Sequence, residues 1–222
     1  MTIRIFLCPE LISTKCCAKR RPDSQNTSPV SYGTGSGAPF TKRRSTTSSP
    51  QEFIHVAFER MRIAYRIDGL ERLDPAERYL FVANHPFGGL DGMMIADALI
   101  ERFGDARVVV NDLLMHVEPL QPIWLPVNKH GRQTAAYARR YDEAFAGELP
   151  ILTFPAGLCS RRRGGVVSDT PWRLNFIKRA HASGRKIVPL YVEGRLSDFF
   201  YRIARLRERL GIKLNVEMLW LP

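Results

Sequence analysis

Phe81-Val82-Ala83-Asn84-His85-Pro86-Phe87-Gly88-Gly89-Leu90-Asp91-Gly92 is the stretch that decides how this chain folds. The apolar run Tyr79 to Ala83 has strand character and stops abruptly at a polar Asn-His pair. A proline and two glycines then force a tight loop. Asp91-Gly92 closes it and opens an amphipathic helix expected over Met93 to Phe103. A His and an Asp thus emerge from one strand-to-helix turn, outside the carboxyl end of a strand, where parallel α/β sheets place their sites. A carboxylate beside an imidazole fixes the tautomer through one ring nitrogen and leaves the other to accept a proton. Taken alone, Asp91 is only a helix N-cap and His85 a loop residue. With a second motif downstream, the pair reads as catalytic.

Working outward, a helix is expected from Pro50 to Tyr65, with Phe53, Ile54, Ala57, Phe58 and Met61 on one face. Strands Arg66 to Leu70 and Tyr79 to Ala83 precede the helix at 93–103. Strand Arg107 to Val110, a helical piece near Asp112 to His116, and strand Ile123 to Val127 follow it. Helix Gln133 to Phe145, strand Ile151 to Phe154, helix Pro171 to Ala182 and strand Ile187 to Val192 come next. A helix at Asp198 to Leu210 leads into strand Leu214 to Trp220. This alternation predicts an α/β domain over 51–222, a largely parallel central sheet flanked by helices. The sequence stops directly after an apolar strand, which leaves truncation of the domain at its C-terminus as an open reading.

Residues 1–50 read differently. Positions 23–50 are rich in Ser, Thr, Gly and Pro and cannot bury enough apolar surface to offset ordering, so 1–50 is expected to be a disordered basic tail and linker. The net charge of +11 divides into +6 on these residues and +5 on the remainder. Such a surplus suits nucleic acid, anionic lipid or an acidic protein. No zinc-finger spacing, homeodomain-like helix set or aromatic RNA-binding signature accompanies it, so no specific nucleic acid is expected and an anionic membrane surface is preferred. No apolar run reaches eighteen residues, and the start is a poor secretory signal. Cys8, Cys16, Cys17 and Cys159 form no disulfide framework, which favours a reducing compartment. His116, His130 and His181 lack partners at ligand spacing, so no metal is expected, and His55 reads as a surface or packing residue.

The second motif is Phe154-Pro155-Ala156-Gly157-Leu158-Cys159-Ser160-Arg161-Arg162-Arg163-Gly164-Gly165, which follows the strand at Ile151. A Pro-x-Gly turn at a strand end, then Ser and three arginines, forms an anion site from backbone N–H groups and guanidinium forks. With both motifs quoted, the chain resembles the glycerophospholipid acyltransferases, the lysophosphatidate and glycerol-3-phosphate enzymes. Asn84-His85…Asp91 is similar to their His-x4-Asp block, one residue longer, with Gly88-Gly89 placed to absorb the extra residue. Phe154-Pro155-Ala156-Gly157…Ser160-Arg161 is similar to Phe-Pro-Glu-Gly-x-x-Ser-Arg, and Ile187-Val188-Pro189-Leu190 to an apolar fourth block. Pro122 to Lys129 falls where a second block belongs and matches it weakly. The variant strings, with Val110-Asn111-Asp112-Leu113-Leu114 and Asn128-Lys129-His130-Gly131-Arg132, resemble a hemolysin-like branch that makes aminoacyl lipids of the ornithine- and glycine-lipid type.

That resemblance implies an O-acyltransferase of membrane lipid biosynthesis with a glycerol-phosphate-acyltransferase-like fold. It would use an acyl thioester, on acyl carrier protein or coenzyme A, as co-substrate and no cofactor. His85 would be the base and Asp91 its orienting carboxylate. Asn84, Gly88, Gly89, Gly157, Ser160 and Arg161 would bind substrate, the glycines near the oxyanion and Arg161 at the acceptor's anion. Ala156 stands where the glycerol-phosphate enzymes carry Glu, which directs the expected acceptor toward an N-acyl amino acid lipid. A lysophosphatidate or glycerol-3-phosphate acceptor is the alternative, and a non-catalytic nucleic-acid- or membrane-binding protein is the rival class. The expected location is cytoplasmic, peripheral on the inner face of the membrane. The basic helix at 198–210, with Phe199, Ile203, Leu206 and Leu210 on one stripe, reads first as a core-facing helix and second as a lipid contact.

Overall fold

The computed structural model describes residues 2–8, 49–128 and 134–210. The tail at 9–48 with its basic runs, the segment around Lys129 to Arg132, and the strand expected at 214–220 lie outside the described residues. In chain order the elements are β1 (Thr2–Leu7), α1 (Pro50–Met61), β2 (Ala64–Asp68), β3 (Tyr79–Ala83), α2 (Gly89–Phe103), β4 (Arg107–Asn111), β5 (Trp124–Val127) and α3 (Ala135–Ala146). They continue with β6 (Ile151–Thr153), β7 (Arg161–Arg163), β8 (Val166–Ser168), α4 (Asn175–Ser183), β9 (Lys186–Val192) and α5 (Asp198–Arg209). Seven strands form one sheet in the order β2-β1-β9-β3-β6-β4-β5. The five from β9 to β5 are mutually parallel, as expected, and β1 joins β9 antiparallel.

β3 is central because every one of its side chains is buried. Alternation along it feeds both sides of the sheet. Tyr79, Phe81 and Ala83 enter a core with Ile54 and Phe58 of α1 and Met94, Ile95 and Leu99 of α2. Leu80 and Val82 enter a second core with Phe145 of α3 and Phe176 and Ala180 of α4. Each large side chain so enclosed contributes roughly 1.5–3 kcal/mol. β3 is therefore the fixed post from which the His85 loop springs.

Three departures from the sequence reading have clear causes. Thr2–Leu7, assigned to the disordered tail, is a sheet strand: Ile3 and Ile5 are buried, and β1 pairs β2 from Thr2 opposite Ala64 to Phe6 opposite Asp68. α1 ends at Met61 because Arg62 turns left-handed (φ 52°) and Ala64 onward is drawn into that pairing. α2 begins four residues early, capped by Gly88 at φ 70°, ψ −129°, a conformation open to glycine alone. Asp91 consequently sits in the first turn of α2, with a Cβ at Gly89 facing open space.

Candidate active site

The site is assembled where β3, β6 and β9 end side by side. His85 lies two residues past β3, half-buried, with Nδ1 3.0 Å from Oδ2 of the fully buried Asp91. The approach is short but oblique to the ring N–H, as in many catalytic pairs before substrate closes on them. The same Oδ2 accepts the Phe87 N–H at 2.9 Å, so the carboxylate both closes its own loop and faces the imidazole. Nδ1 is turned to Asp91, which leaves Nε2 as the proton acceptor. Burial pushes the Asp91 carboxyl above the usual carboxylate range, and His85 and the Phe87 N–H pull against it. The imidazole is stacked on Phe154, ring centres 4.1 Å apart and planes 26° apart.

The second motif is laid directly against the first. The Ser160 N–H donates to the His85 carbonyl at 2.8 Å, and the His85 N–H donates to Oδ1 of Asp169 at 3.2 Å. Two strand-end loops distant in sequence thus form one surface. Residues 40–222 match the acyltransferase family. The chain belongs to that family.

Two lyso-glycine lipid O-acyltransferases are similar to this chain. The one from Phocaeicola vulgatus is 41% identical over 171 residues, covering 77% of this chain and 61% of the relative. The one from Bacteroides thetaiotaomicron is 38% identical over 171 residues, covering 77% of this chain and 63% of the relative. The chain therefore spans a little over three-fifths of the length of these relatives.

The remaining residues expected at the site fall into two groups. Gly88 caps α2 and Gly89 opens it at the end of the His85 loop, and Gly157, on the loop after β6, is exposed at φ 65° with open space where a Cβ would stand. The N–H groups of the first turn of α2, at Gly89 and Leu90, have no acceptor within the helix and point out of its positive end. The other three are held by protein. The Asn84 amide is a clamp: Nδ2 donates to the Val192 carbonyl at 2.9 Å and Oδ1 accepts the Val192 N–H at 2.6 Å, joining the ends of β3 and β9. Ser160 donates its hydroxyl to Oδ1 of Asp169 at 2.6 Å, so toward a ligand it offers lone pairs. Arg161 is only 4% exposed, bonded to the Cys159 carbonyl and 5.6 Å from the Phe200 ring centre.

The expected anion loop at Arg161–Arg163 is instead strand β7 of a two-residue hairpin with β8. Gly164 and Gly165 both have positive φ (56° and 85°), as a type I′ turn requires. The Gly-Gly pair between two short runs was a readable hairpin signal. Asp169 and Gly194 adjoin the His85 loop and were missed by sequence reasoning. A Cβ on Gly194, which sits at φ 133°, would come 2.3 Å from Cζ of Phe87. His55 is also more than a surface residue. Its Nε2 lies 2.8 and 3.0 Å from the two oxygens of buried Asp97, which also accepts the Tyr65 hydroxyl, tying α1 and β2 to α2.

Proposed function

We propose that this chain transfers a fatty acyl group from an acyl thioester to the hydroxyl of a lyso-aminoacyl lipid. The observation that carries the reading is the His85–Asp91 pair at the end of β3, hydrogen-bonded through its backbone to the Ser160 loop, in a family whose similar members act on lyso-glycine lipid. Nε2 of His85 takes the proton of the acceptor hydroxyl as its oxygen attacks the thioester carbonyl carbon. Asp91 stabilises the imidazolium formed. The oxyanion is met by the first-turn N–H groups of α2 at Gly89 and Leu90. As the C–S bond breaks, His85 returns the proton to the departing thiolate, so no covalent enzyme intermediate is needed. The thioester is carried by acyl carrier protein or coenzyme A. A guanidinium as enclosed as that of Arg161 attracts an arriving carboxylate strongly, because little water intervenes, and Gly157 leaves the backbone approachable.

Glycerol 3-phosphate is the poorer acceptor in this reading. Ala156 supplies no polar side chain where the glycerol-phosphate enzymes carry Glu, and its carbonyl is already bonded by Thr170 at 3.0 Å. The test offers lyso-glycine lipid, lyso-ornithine lipid, glycerol 3-phosphate and lysophosphatidate against radiolabelled acyl thioesters of both carriers. The label goes to the aminoacyl lyso-lipids. Preferential labelling of glycerol 3-phosphate or lysophosphatidate would replace this acceptor class with the alternative.

The protein also works at the inner face of a membrane, in our reading, as a peripheral enzyme. The helix α5 supports it, since its core contacts are Phe200, Tyr201 and Ala204, and of the stripe first read as core-facing Ile203 is half-buried while the other three residues are turned outward. Phe199, Leu206 and Leu210 are 55%, 57% and 65% exposed, beside exposed Arg202, Arg205 and Arg209. An apolar stripe bordered by arginines suits anionic headgroups. Among the described residues no helix is long and apolar enough to cross a membrane.

A further inference from the structure

We propose that Asp169 is a positioning residue for the catalytic His85, locking the main chain of its loop to the acceptor loop through a single carboxylate. Its Oδ1 accepts two hydrogen bonds, from the His85 N–H at 3.2 Å and from the Ser160 hydroxyl at 2.6 Å. Its Oδ2 accepts the Trp172 indole N–H at 2.9 Å. Both oxygens are thereby fixed in direction, and the carboxylate cannot rotate without breaking a charge-assisted bond.

The segment around Asp169 explains why it can act as a fixed point. The helix expected from Pro171 starts only at Asn175, because Thr170 to Arg173 is strapped across the other loop. The Thr170 hydroxyl donates to the Ala156 carbonyl at 3.0 Å, and the Arg173 N–H to the Pro155 carbonyl at 3.1 Å. Trp172 is anchored edge-on against Phe176 of α4, ring centres 6.2 Å apart. With Asp169 the strap thus holds the loop after β6 with three bonds and reaches the loop after β3 with one, at the residue that carries the proposed base. His85 is gripped on three sides: its N–H by Asp169, its carbonyl by the Ser160 N–H, and its ring by Asp91 and Phe154. Removing the first grip leaves the ring contacts in place and frees the backbone from which the ring is aimed.

Catalytic geometry of this kind is sensitive, since a displacement of about 1 Å lowers rate up to roughly 100-fold. The chemical identity of the assay substrates rests on the proposed function; the positioning role rests on the hydrogen bonds alone. Asp169→Ala is expected to lower kcat at least tenfold with the KM for the acyl thioester unchanged. Asp169→Asn keeps an Oδ1 acceptor for His85 and Ser160 but turns an amide NH2 toward the Trp172 indole N–H, so it should regain most of the kcat lost in Asp169→Ala and match Trp172→Phe, several-fold below wild type. Trp172→Phe, which removes the bond on Oδ2 while keeping the aromatic packing, should lower kcat several-fold, and it decides the matter if Asp169→Ala does not fold. The second readout is the imidazole NMR signal of His85, assigned by its absence in His85→Gln. That signal shifts in Asp169→Ala and holds its place in Asp169→Asn. If the wild-type protein transfers no acyl group, the functional reading fails, and the imidazole signal still judges the positioning. A folded Asp169→Ala with wild-type kcat and an unmoved His85 signal overturns the proposal. So does an equal loss in Asp169→Ala and Asp169→Asn that follows thermal stability alone.

Discussion

Asp91 and Asn84 flank His85, the proposed base, in sequence and are both buried, yet substitution should separate them completely. For Asp91, burial raises the folded-state pKa above the unfolded value, so the folded protein binds that proton more tightly. Its contribution to stability is therefore greatest at acid pH and declines as pH rises through the ordinary carboxylate range and beyond. Asp91→Asn keeps an acceptor for the Phe87 N–H and abolishes that decline. It should melt no lower than wild type at neutral pH while losing acyl transfer, and a melting curve beside a rate measurement checks both. Asn84 behaves oppositely. Asn84→Ala leaves the Val192 N–H and carbonyl buried without partners and should reduce unfolding free energy by roughly 2–4 kcal/mol, measured by denaturant titration. The sequence motif placed Asn84 with the substrate because it adjoins His85. What the motif could not show is that β9, more than a hundred residues later, presents an unpaired peptide group at that point.

At the scale of elements, the site depends on how loops seat on one another. Phe87 rests on the bare α-carbon of Gly194, just past β9, and Phe87 also supplies the N–H that holds Asp91. Gly194→Ala must displace that ring and adopt a positive φ, at a cost of about 1–3 kcal/mol. It should lower kcat tenfold or more although Gly194 touches neither His85 nor Asp91; wild-type kcat in the variant would show that the Phe87 seat is dispensable. Local signals predicted most elements well: β3 matches its expected span, and α3, β9 and α5 differ by a residue or two at their ends. The failures occur where distant partners decide. β1 looks like a tail until β2 and β9 receive it, and Pro171 to Leu174 looks helical until the strap to Pro155 and Ala156 claims its backbone. The His85–Asp91 pairing was legible because both residues lie in one loop. Asp169 and Gly194 were not, because each acts across strand ends.

Across the whole molecule, the active loops gather at one end of the parallel strands, and α5 is joined to that end. Arg162 of β7 pairs with Asp198 at 2.9 Å, and Arg161 lies against Phe200, so the outward face of α5 is mechanically continuous with the segment that follows β6. Leu206→Glu should weaken binding to anionic vesicles at least tenfold, measured by vesicle sedimentation, without altering turnover of a soluble short-chain acceptor. Binding in the wild type should fall as salt is raised. Equal binding to neutral and anionic vesicles would contradict the placement of α5 at a charged surface. Whether His85 and Asp91 operate as one base is decided by the rates of His85→Ala, Asp91→Ala and the double variant. With labelled acyl thioester and lyso-glycine lipid, each single variant should lose two to four orders of magnitude, roughly what general base catalysis supplies, and the double variant should be no slower than the worse single. Near-wild-type transfer by either folded single variant, or losses that multiply in the double, would contradict it.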